Sequence, residues 1–77
     1  MKHLSMSIIS TARDGVDELD RIRQEKKISQ MSISEMADMP DAGMQYYRMF
    51  KSGDVKISKF QRFLKALGYT LAIIKED

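Results

Sequence analysis

The stretch SISEMADMPDAGMQYYRMFKSG, residues 32–53, decides the expected fold. Its first part predicts a short helix over residues 33–39. Ser32 and Glu35 have the spacing of a capping box, in which each side chain accepts a hydrogen bond from a free backbone N–H of the first turn. Pro40 ends this helix, because its ring disfavours the helical conformation for the residue before it.

The second part of the stretch predicts another short helix, over residues 42–51. Asp41 is a favourable N-cap for it, and Gly53 can adopt the left-handed conformation that commonly closes a helix. Two short helices joined by a tight turn form a helix-turn-helix pattern, which is expected here over residues 32–51.

Amphipathic helices are also expected on both sides of this pattern. Before it, apolar residues recur at steps of three and four, the period of a helix with one buried face: Ile9, Ala12, Val16, Leu19 and Ile22. Ser10 or Thr11 can cap that helix. After it, residues 59–67 show the same spacing, with Ser58 as N-cap and Gly68 as the closing residue. The sequence therefore predicts a mostly α fold of four to five helices.

The C-terminal run YTLAIIK, residues 69–75, is β-branched and apolar and predicts a strand. One strand cannot satisfy its own backbone hydrogen bonds, and no other segment has the pattern of a partner strand. Pairing with the same strand of a second copy would give a two-fold homodimer. The residues expected at that interface are Tyr69, Leu71, Ile73 and Ile74. The alternative is an extended tail packed on the helices of its own chain.

Length and composition restrict the class of protein. The chain of 77 residues is expected to form one domain, residues 1–77, with a single modest core. It has no Cys, which fits a cytoplasmic location, and no apolar run long enough to span a bilayer. We interpret its N-terminal residues as part of the mature protein. The sole His, His3, lies near the terminus, so neither an enzyme nor a cofactor is expected.

Basic charge is concentrated in the second half of the chain. Residues 44–66 contain one acid, Asp54, and six basic residues: Arg48, Lys51, Lys56, Lys59, Arg62 and Lys65. Such a cluster favours phosphate binding, although it also suits a solvated helix face. The charged residues of the first helix are interpreted as a solvated face rather than a metal or acid/base site: Asp17, Glu18, Asp20 and Arg21.

Helical spacing divides the second helix of the motif into two faces. The face expected in the core contains Ala42, Tyr47 and Phe50. The face expected to point outward contains Met44, Gln45, Arg48 and Met49, with Tyr46 at the border. Gln can pair with adenine in the major groove and Arg with guanine, while Met and Tyr can contact thymine methyl groups. The same Met and Tyr side chains also suit an adaptable surface for a partner protein.

Residues 31–53 resemble, without gaps, the helix-turn-helix core of the phage Cro/repressor-like family. The family pattern is a hydroxyl cap, two polar residues, Leu-Ala, a turn, and a recognition helix that ends near Gly. The matching positions are Ser32, Met36, Ala37, Ala42, Tyr47, Phe50 and Gly53, followed by Phe60, Phe63, Leu64, Leu67 and Gly68. The resemblance covers residues 16–68. The ending ALGYTLAIIKED is similar to small members, including antitoxin-type regulators, whose last strand pairs across the dimer.

The resemblance implies a homodimer that binds double-stranded DNA at a palindromic operator, with the second motif helix in the major groove. The implied base contacts are Met44, Gln45, Tyr46, Arg48 and Met49. The expected phosphate contacts are Ser32, Ser34, Gly43, Lys51, Ser52, Lys56 and Lys59. Two positions depart from the family pattern. Asp41 replaces the usual turn Gly, and Ile33 replaces a polar side chain that often holds a phosphate.

These features predict a sequence-specific transcriptional regulator, expected to be a repressor from a phage, mobile element or toxin–antitoxin locus. The alternative is a protein-interaction module that uses the Met/Tyr face to bind a toxin or another regulator. An antitoxin could combine both activities.

Overall fold

The computed structural model describes residues 6–39, 42–73 and 75, and this part of the chain contains four helices. In chain order they are α1 (Ala12–Glu25), α2 (Gln30–Met36), α3 (Ala42–Ser52) and α4 (Ile57–Ala66). The predicted mostly α fold is confirmed for these residues. His3 and the expected turn residues Pro40 and Asp41 lie outside the described residues.

One of the two hydroxyl residues proposed as a cap does begin α1. Thr11 is the N-cap, and its hydroxyl accepts a hydrogen bond from the backbone N–H of Asp14 at 3.1 Å. The predicted apolar stripe is buried at Val16, Leu19 and Ile22, whereas its first members, Ile9 and Ala12, are exposed. α1 therefore contributes to the core through its central and C-terminal turns.

The start of α2 lies three residues before the predicted position. Its N-cap is Ser29, whose hydroxyl accepts a hydrogen bond from the backbone N–H of Ser32 at 3.0 Å. The predicted N-cap role of Ser32 is therefore wrong. Both serines can cap a helix, but the earlier start places Ile33 in the helix interior, where its backbone N–H bonds to the Ser29 carbonyl at 3.0 Å.

The end of α2 also differs from the prediction. Asp38 adopts a left-handed φ of 56°, so the chain leaves the helix before the proline that was expected to stop it. The buried face of α2 is centred on Ile33, Ser34 and Ala37. The apolar spacing of this helix favours burial of Met36, but Met36 is 52% exposed, so that expectation is wrong.

The ends of α3 and α4 confirm two predicted glycine positions. Gly53 and Gly68 have φ values of 70° and 84°, the left-handed region in which glycine avoids the clash of a Cβ atom. α4 begins two residues earlier than predicted, with Lys56 at the N-cap and no side-chain capping hydrogen bond. The predicted cap Ser58 is therefore wrong, because it lies inside the first turn of the helix.

One hydrophobic core joins all four helices. Its buried apolar residues are Val16, Leu19, Ile22, Ile33, Ala37, Met39, Tyr46, Met49, Phe60, Phe63, Leu64 and Leu67. The ring of Tyr46 meets that of Phe63 edge to face, with centroids 5.4 Å apart and planes at 88°. α2 and α3 pack against each other more extensively than any other pair of helices. α3 also packs against α1, and α2 also packs against α4.

The predicted C-terminal strand is not shown. Residues 69–73 and 75 form neither helix nor strand, and Ile74 lies outside the described residues. Leu71 is half-buried against the core, whereas Tyr69 and Ile73 are exposed. A strand needs a neighbouring strand for its backbone, and the described part of one chain does not supply it. Pairing across a dimer stays a prediction.

Candidate nucleic-acid interface

The exposed face of α3 carries the side chains that are available to a ligand. Met44, Tyr47, Arg48 and Lys51 are all exposed, and their spacing of three, four and seven residues places them in one stripe along the helix. Lys51 Nζ lies 5.7 Å from the centre of the Tyr47 ring, within the range of a cation–π contact. We refer to these four residues as the α3 stripe. The predicted exposure of Met44 and Arg48 is confirmed, but the predicted burial of Tyr47 is wrong.

The opposite face of α3 faces the core through Tyr46 and Met49, which are 0% and 5% exposed. Both were expected to contact bases. That expectation is wrong, because Tyr46 is completely buried and Met49 exposes only a small part of its surface. Phe50 is half-buried against the core, as predicted. The buried face of α3 is therefore shifted by about one residue from the predicted face, which corresponds to a rotation of about 100° around the helix axis.

A buried polar group on α1 accounts for this rotation. The hydroxyl of Tyr46 donates a hydrogen bond to Asp20 Oδ1 at 2.8 Å, and the guanidinium of Arg23 lies over the Tyr46 ring at 5.5 Å from its centre. The Tyr46 phenol satisfies the buried carboxylate while its ring fills the core, whereas Tyr47, which carries the same phenol, lies on the exposed face. The sequence contained the residues of this contact but no local signal of it, because the partners are 26 positions apart.

The carboxylate of Asp20 is almost completely buried, so its prediction as part of a solvated face is wrong. It accepts hydrogen bonds from Arg23 Nε at 2.9 Å, from Gln24 and from Tyr46. Burial raises the pKa of Asp20, but the hydrogen bonds from Arg23, Tyr46 and Gln24 together outweigh burial and hold its pKa below the ordinary value. Burial and the bond to Asp20 raise the pKa of Tyr46, so the phenol stays protonated and donates.

A groove of about 510 Å³ runs beside the α3 stripe, between α3 and the first turn of α4. It is lined by Gln45, Arg48, Met49, Ser52, Asp54, Val55, Lys56, Lys59 and Phe63. On one wall Lys59 Nζ donates a hydrogen bond to Gln45 Oε1 at 2.9 Å. Three cationic side chains therefore lie along a concave surface next to an exposed helix.

The expected phosphate contacts have different outcomes. Ser34 is completely buried and its hydroxyl donates to the Gln30 carbonyl at 3.0 Å, so its predicted phosphate contact is wrong. Ser32, Lys51, Ser52 and Lys56 are exposed and Lys59 is half-buried. The surroundings of Gly43 and of the Ala42 side chain lie outside what the structure describes.

The ion pairs of the described residues are confined to α1. They join Arg13 to Asp17, Arg21 to Glu18 and Glu25, and Arg23 to Asp20. Within residues 6–39, 42–73 and 75, none of the cations on α3 or α4 forms an ion pair. The cations beside the groove therefore form no ion pair with a described carboxylate, and Asp54 is the one acidic residue that lines the groove with them.

An arginine on α1 also holds the end of α3, a contact that the sequence analysis missed. Arg13 Nη1 donates to the Phe50 carbonyl at 2.7 Å, and the guanidinium lies 5.2 Å from the centre of the Phe50 ring. The last carbonyls of a helix lack partners within the helix, so a cation there satisfies one of them and suits the helix dipole. Only the tertiary fold brings Arg13 to this position.

The described part of the chain has neither a metal-binding cluster nor a membrane-spanning helix. No three of its His, Cys, Asp and Glu side chains are grouped as metal ligands. Its helices are all too short or too polar to cross a bilayer. Comparison with known proteins returned no match: no protein-family model, no curated protein and no solved structure is similar to this chain.

Proposed function

We propose that this protein is a sequence-specific DNA-binding regulator that acts as a repressor. In this proposal a homodimer binds a palindromic operator, and α3 of each subunit enters the major groove. The α3 stripe contacts base edges, while the cations of the groove bind the phosphate backbone. Base contacts are assigned to Met44, Gln45, Tyr47, Arg48 and Lys51.

The single observation that carries the proposal is the position of four cations that form no ion pair within the described residues. Arg48 and Lys51 lie on the exposed face of a helix, and Lys56 and Lys59 lie beside it. A helix fits the width of the major groove, and cations flanking such a helix would meet the two rows of phosphates. The three arginines of α1 are already paired with carboxylates of the same helix, so they offer less to a polyanion.

The anchoring of α3 supports the same function. Tyr46 fixes the middle of the helix to α1 and α4, and Arg13 holds its C-terminal carbonyl. Base recognition requires side chains positioned to within a fraction of an ångström, and a helix attached at two points provides that precision.

The homodimer is proposed to form through the C-terminal segment. Ile73 is completely exposed, although it is a large apolar residue in a β-branched run, and burial against a second copy would remove it from water. Substitution Ile73→Asp should convert the dimer to a monomer, measured by sedimentation equilibrium. Lys75→Asp, which changes an exposed charge in the same segment, is the control. A wild-type monomer at concentrations that saturate DNA would contradict this part of the proposal.

The experiment that tests the main proposal is selection of bound DNA from a random double-stranded pool by the full chain. We expect enrichment of a palindrome whose half-sites lie about one helical turn apart. Arg48→Ala should reduce affinity for the selected site by about tenfold or more and relax one position in each half-site. Arg21→Ala removes the same charge from α1 and should leave the selected sequence unchanged. A pool without any enriched sequence would refute the proposal.

A second candidate function is binding of a partner protein, and one observation favours it. Met44 and Tyr47 are about half exposed on the same stripe, and exposed Met side chains suit adaptable protein surfaces. Such a partner, for example a toxin, should be lost with Met44→Asp and retained at high salt. A pull-down from host cells that yields DNA without a stoichiometric protein would exclude this candidate.

A further inference from the structure

One hydrogen bond beside the α3 stripe bears on which base the protein prefers. Lys59 Nζ lies 2.9 Å from Gln45 Oε1, and both side chains are half-buried on the wall of the groove. An ammonium group can only donate hydrogen bonds, so the amide oxygen of Gln45 is the atom that faces Lys59. The amide nitrogen, with its two N–H groups, is then fully available to an outside ligand, whereas the oxygen keeps only one free lone pair.

This orientation changes what Gln45 can recognise. Adenine presents an acceptor and a donor in the major groove, so a bidentate contact with Gln requires both the amide oxygen and the amide nitrogen. Guanine presents two acceptors, N7 and O6, and both can accept from N–H groups. The Gln45 oxygen has two lone pairs and Lys59 uses one, so an adenine contact has to share that oxygen with an ammonium, whereas a guanine contact uses only the free N–H groups. Gln45 is therefore better matched to guanine than to adenine.

We propose that Lys59 is a positioning residue that makes Gln45 select guanine, an inference that rests on the proposed DNA-binding function. Lys59 has three N–H groups, of which Gln45 uses one, so two remain for a phosphate oxygen. The same side chain thus links the phosphate backbone to the orientation of a base-reading amide. The nearby cations Arg48 and Lys56 add a field that also favours the acceptor-rich guanine edge.

The test compares base preferences rather than affinity alone. The random-pool selection is repeated with Gln45→Ala, which identifies the position in each half-site that Gln45 contacts. We expect guanine at that position for the wild type. Lys59→Met frees the amide, so the preference should shift toward adenine by about tenfold, the size of one good base contact. Lys59→Arg keeps a donor-only partner and should retain guanine.

The matched control is Lys56→Met. Lys56 lines the same groove and is exposed, and the structure gives its side chain no bond to Gln45 within the described residues. Its loss should weaken binding to all sequences without changing the preferred base. Circular dichroism of each variant establishes that it is folded before selection. If Lys59→Met does not fold, the base selected by the wild type at the Gln45 position decides the question.

The possible failures are distinguishable. Adenine at the Gln45 position of the wild-type site, or guanine retained in a folded Lys59→Met variant, would overturn the positioning role and leave the DNA-binding function intact. The positioning role is likewise overturned, with the DNA-binding function intact, if Gln45→Ala leaves the base preference unchanged at every position of the selected site. A pool with no enriched sequence overturns the proposed function itself, and the inference with it.

Discussion

Two charged regions of this molecule use their charges in different ways. The arginines of α1 form ion pairs with carboxylates three or four residues away, and one of those pairs is buried beneath α3. The cations of α3 and α4 form no ion pair within the described part of the chain. The first set of charges positions helices, and the second remains available to an anionic ligand. Net charge alone, which is only +2 for the whole chain, hides this division.

The largest expected effect comes from breaking the buried pair on α1. Asp20→Ala leaves the Arg23 guanidinium and the Tyr46 hydroxyl without their acceptor in the core, and it should lower the free energy of unfolding by about 3 kcal/mol. Urea denaturation measures this loss. Glu25→Ala breaks an exposed pair with Arg21 on the same helix and should change stability little. Equal losses of stability in the two variants would show that the buried ion pair contributes no more to stability than the exposed one.

A smaller effect is expected where the two regions meet. Gly53→Ala forces a residue with a side chain into a φ of 70° and places its Cβ 2.7 Å from Arg13 Cδ, so the Arg13 side chain, which donates to the Phe50 carbonyl, must shift. Gly68→Ala also places a side chain at a left-handed φ, here 84°, but no other atom lies within 4 Å of the added Cβ. We expect Gly68→Ala to cost about 1 kcal/mol and Gly53→Ala to cost more. Identical losses in thermal unfolding would mean that the Arg13 contact contributes nothing.

The third effect acts on ligand binding and spares the fold. Lys51→Ala removes an exposed cation from α3, so unfolding should be unchanged while affinity falls. If Lys51 meets a phosphate, the slope of log affinity against log salt should decrease by about one per subunit. If it meets a base, one position of the selected site should relax instead. Binding measured across a salt series separates the two, and an unchanged affinity would remove Lys51 from the interface.

The smallest effect concerns acid stability. The pKa of Asp20 is lowered in the folded state, so the unfolded chain binds more protons in acid, and stability falls as pH drops below about 4, the ordinary aspartate value. Asp20→Asn retains a side chain of the same shape and should show a shallower loss over this range. Some loss should persist, because a hydrogen bond from Arg21 also lowers the pKa of Glu18. If the free energy of unfolding of the wild type and of Asp20→Asn falls in parallel with pH, the loss is not due to the lowered pKa of Asp20.

Local sequence patterns predicted the presence of the helices better than the residues at which they begin. The spacing of apolar residues in α1 and α4 and the glycines after α3 and α4 predicted helices that are present, because these signals act within one turn of the chain. The starts of α2 and α4 were misplaced. In α2 two serines competed as caps, and in α4 the helix begins without any side-chain cap. Packing decides between alternatives that local sequence leaves nearly equal in free energy.

The candidate interface was predicted less well than the helices. Met44 and Arg48 were placed correctly at the surface. Tyr47 was placed in the core but is exposed, Tyr46 was placed at the border but is buried, and Met49 was placed outside but is buried. Adjacent aromatic residues have nearly the same intrinsic preference for burial, so helical spacing alone could not choose between them. The choice depended on Asp20, a distant residue whose own burial was not expected.

By itself, the sequence determined that short amphipathic helices form, where two of them end, and that basic charge gathers in the second half of the chain. These properties depend on neighbours within a few positions. Tertiary structure alone decided which face of α3 is buried, which charges are paired, and that Lys59 holds Gln45. Each of those outcomes depends on side chains that lie far apart in the sequence or on their burial, and the free energy of such contacts cannot be derived from residues a few positions apart.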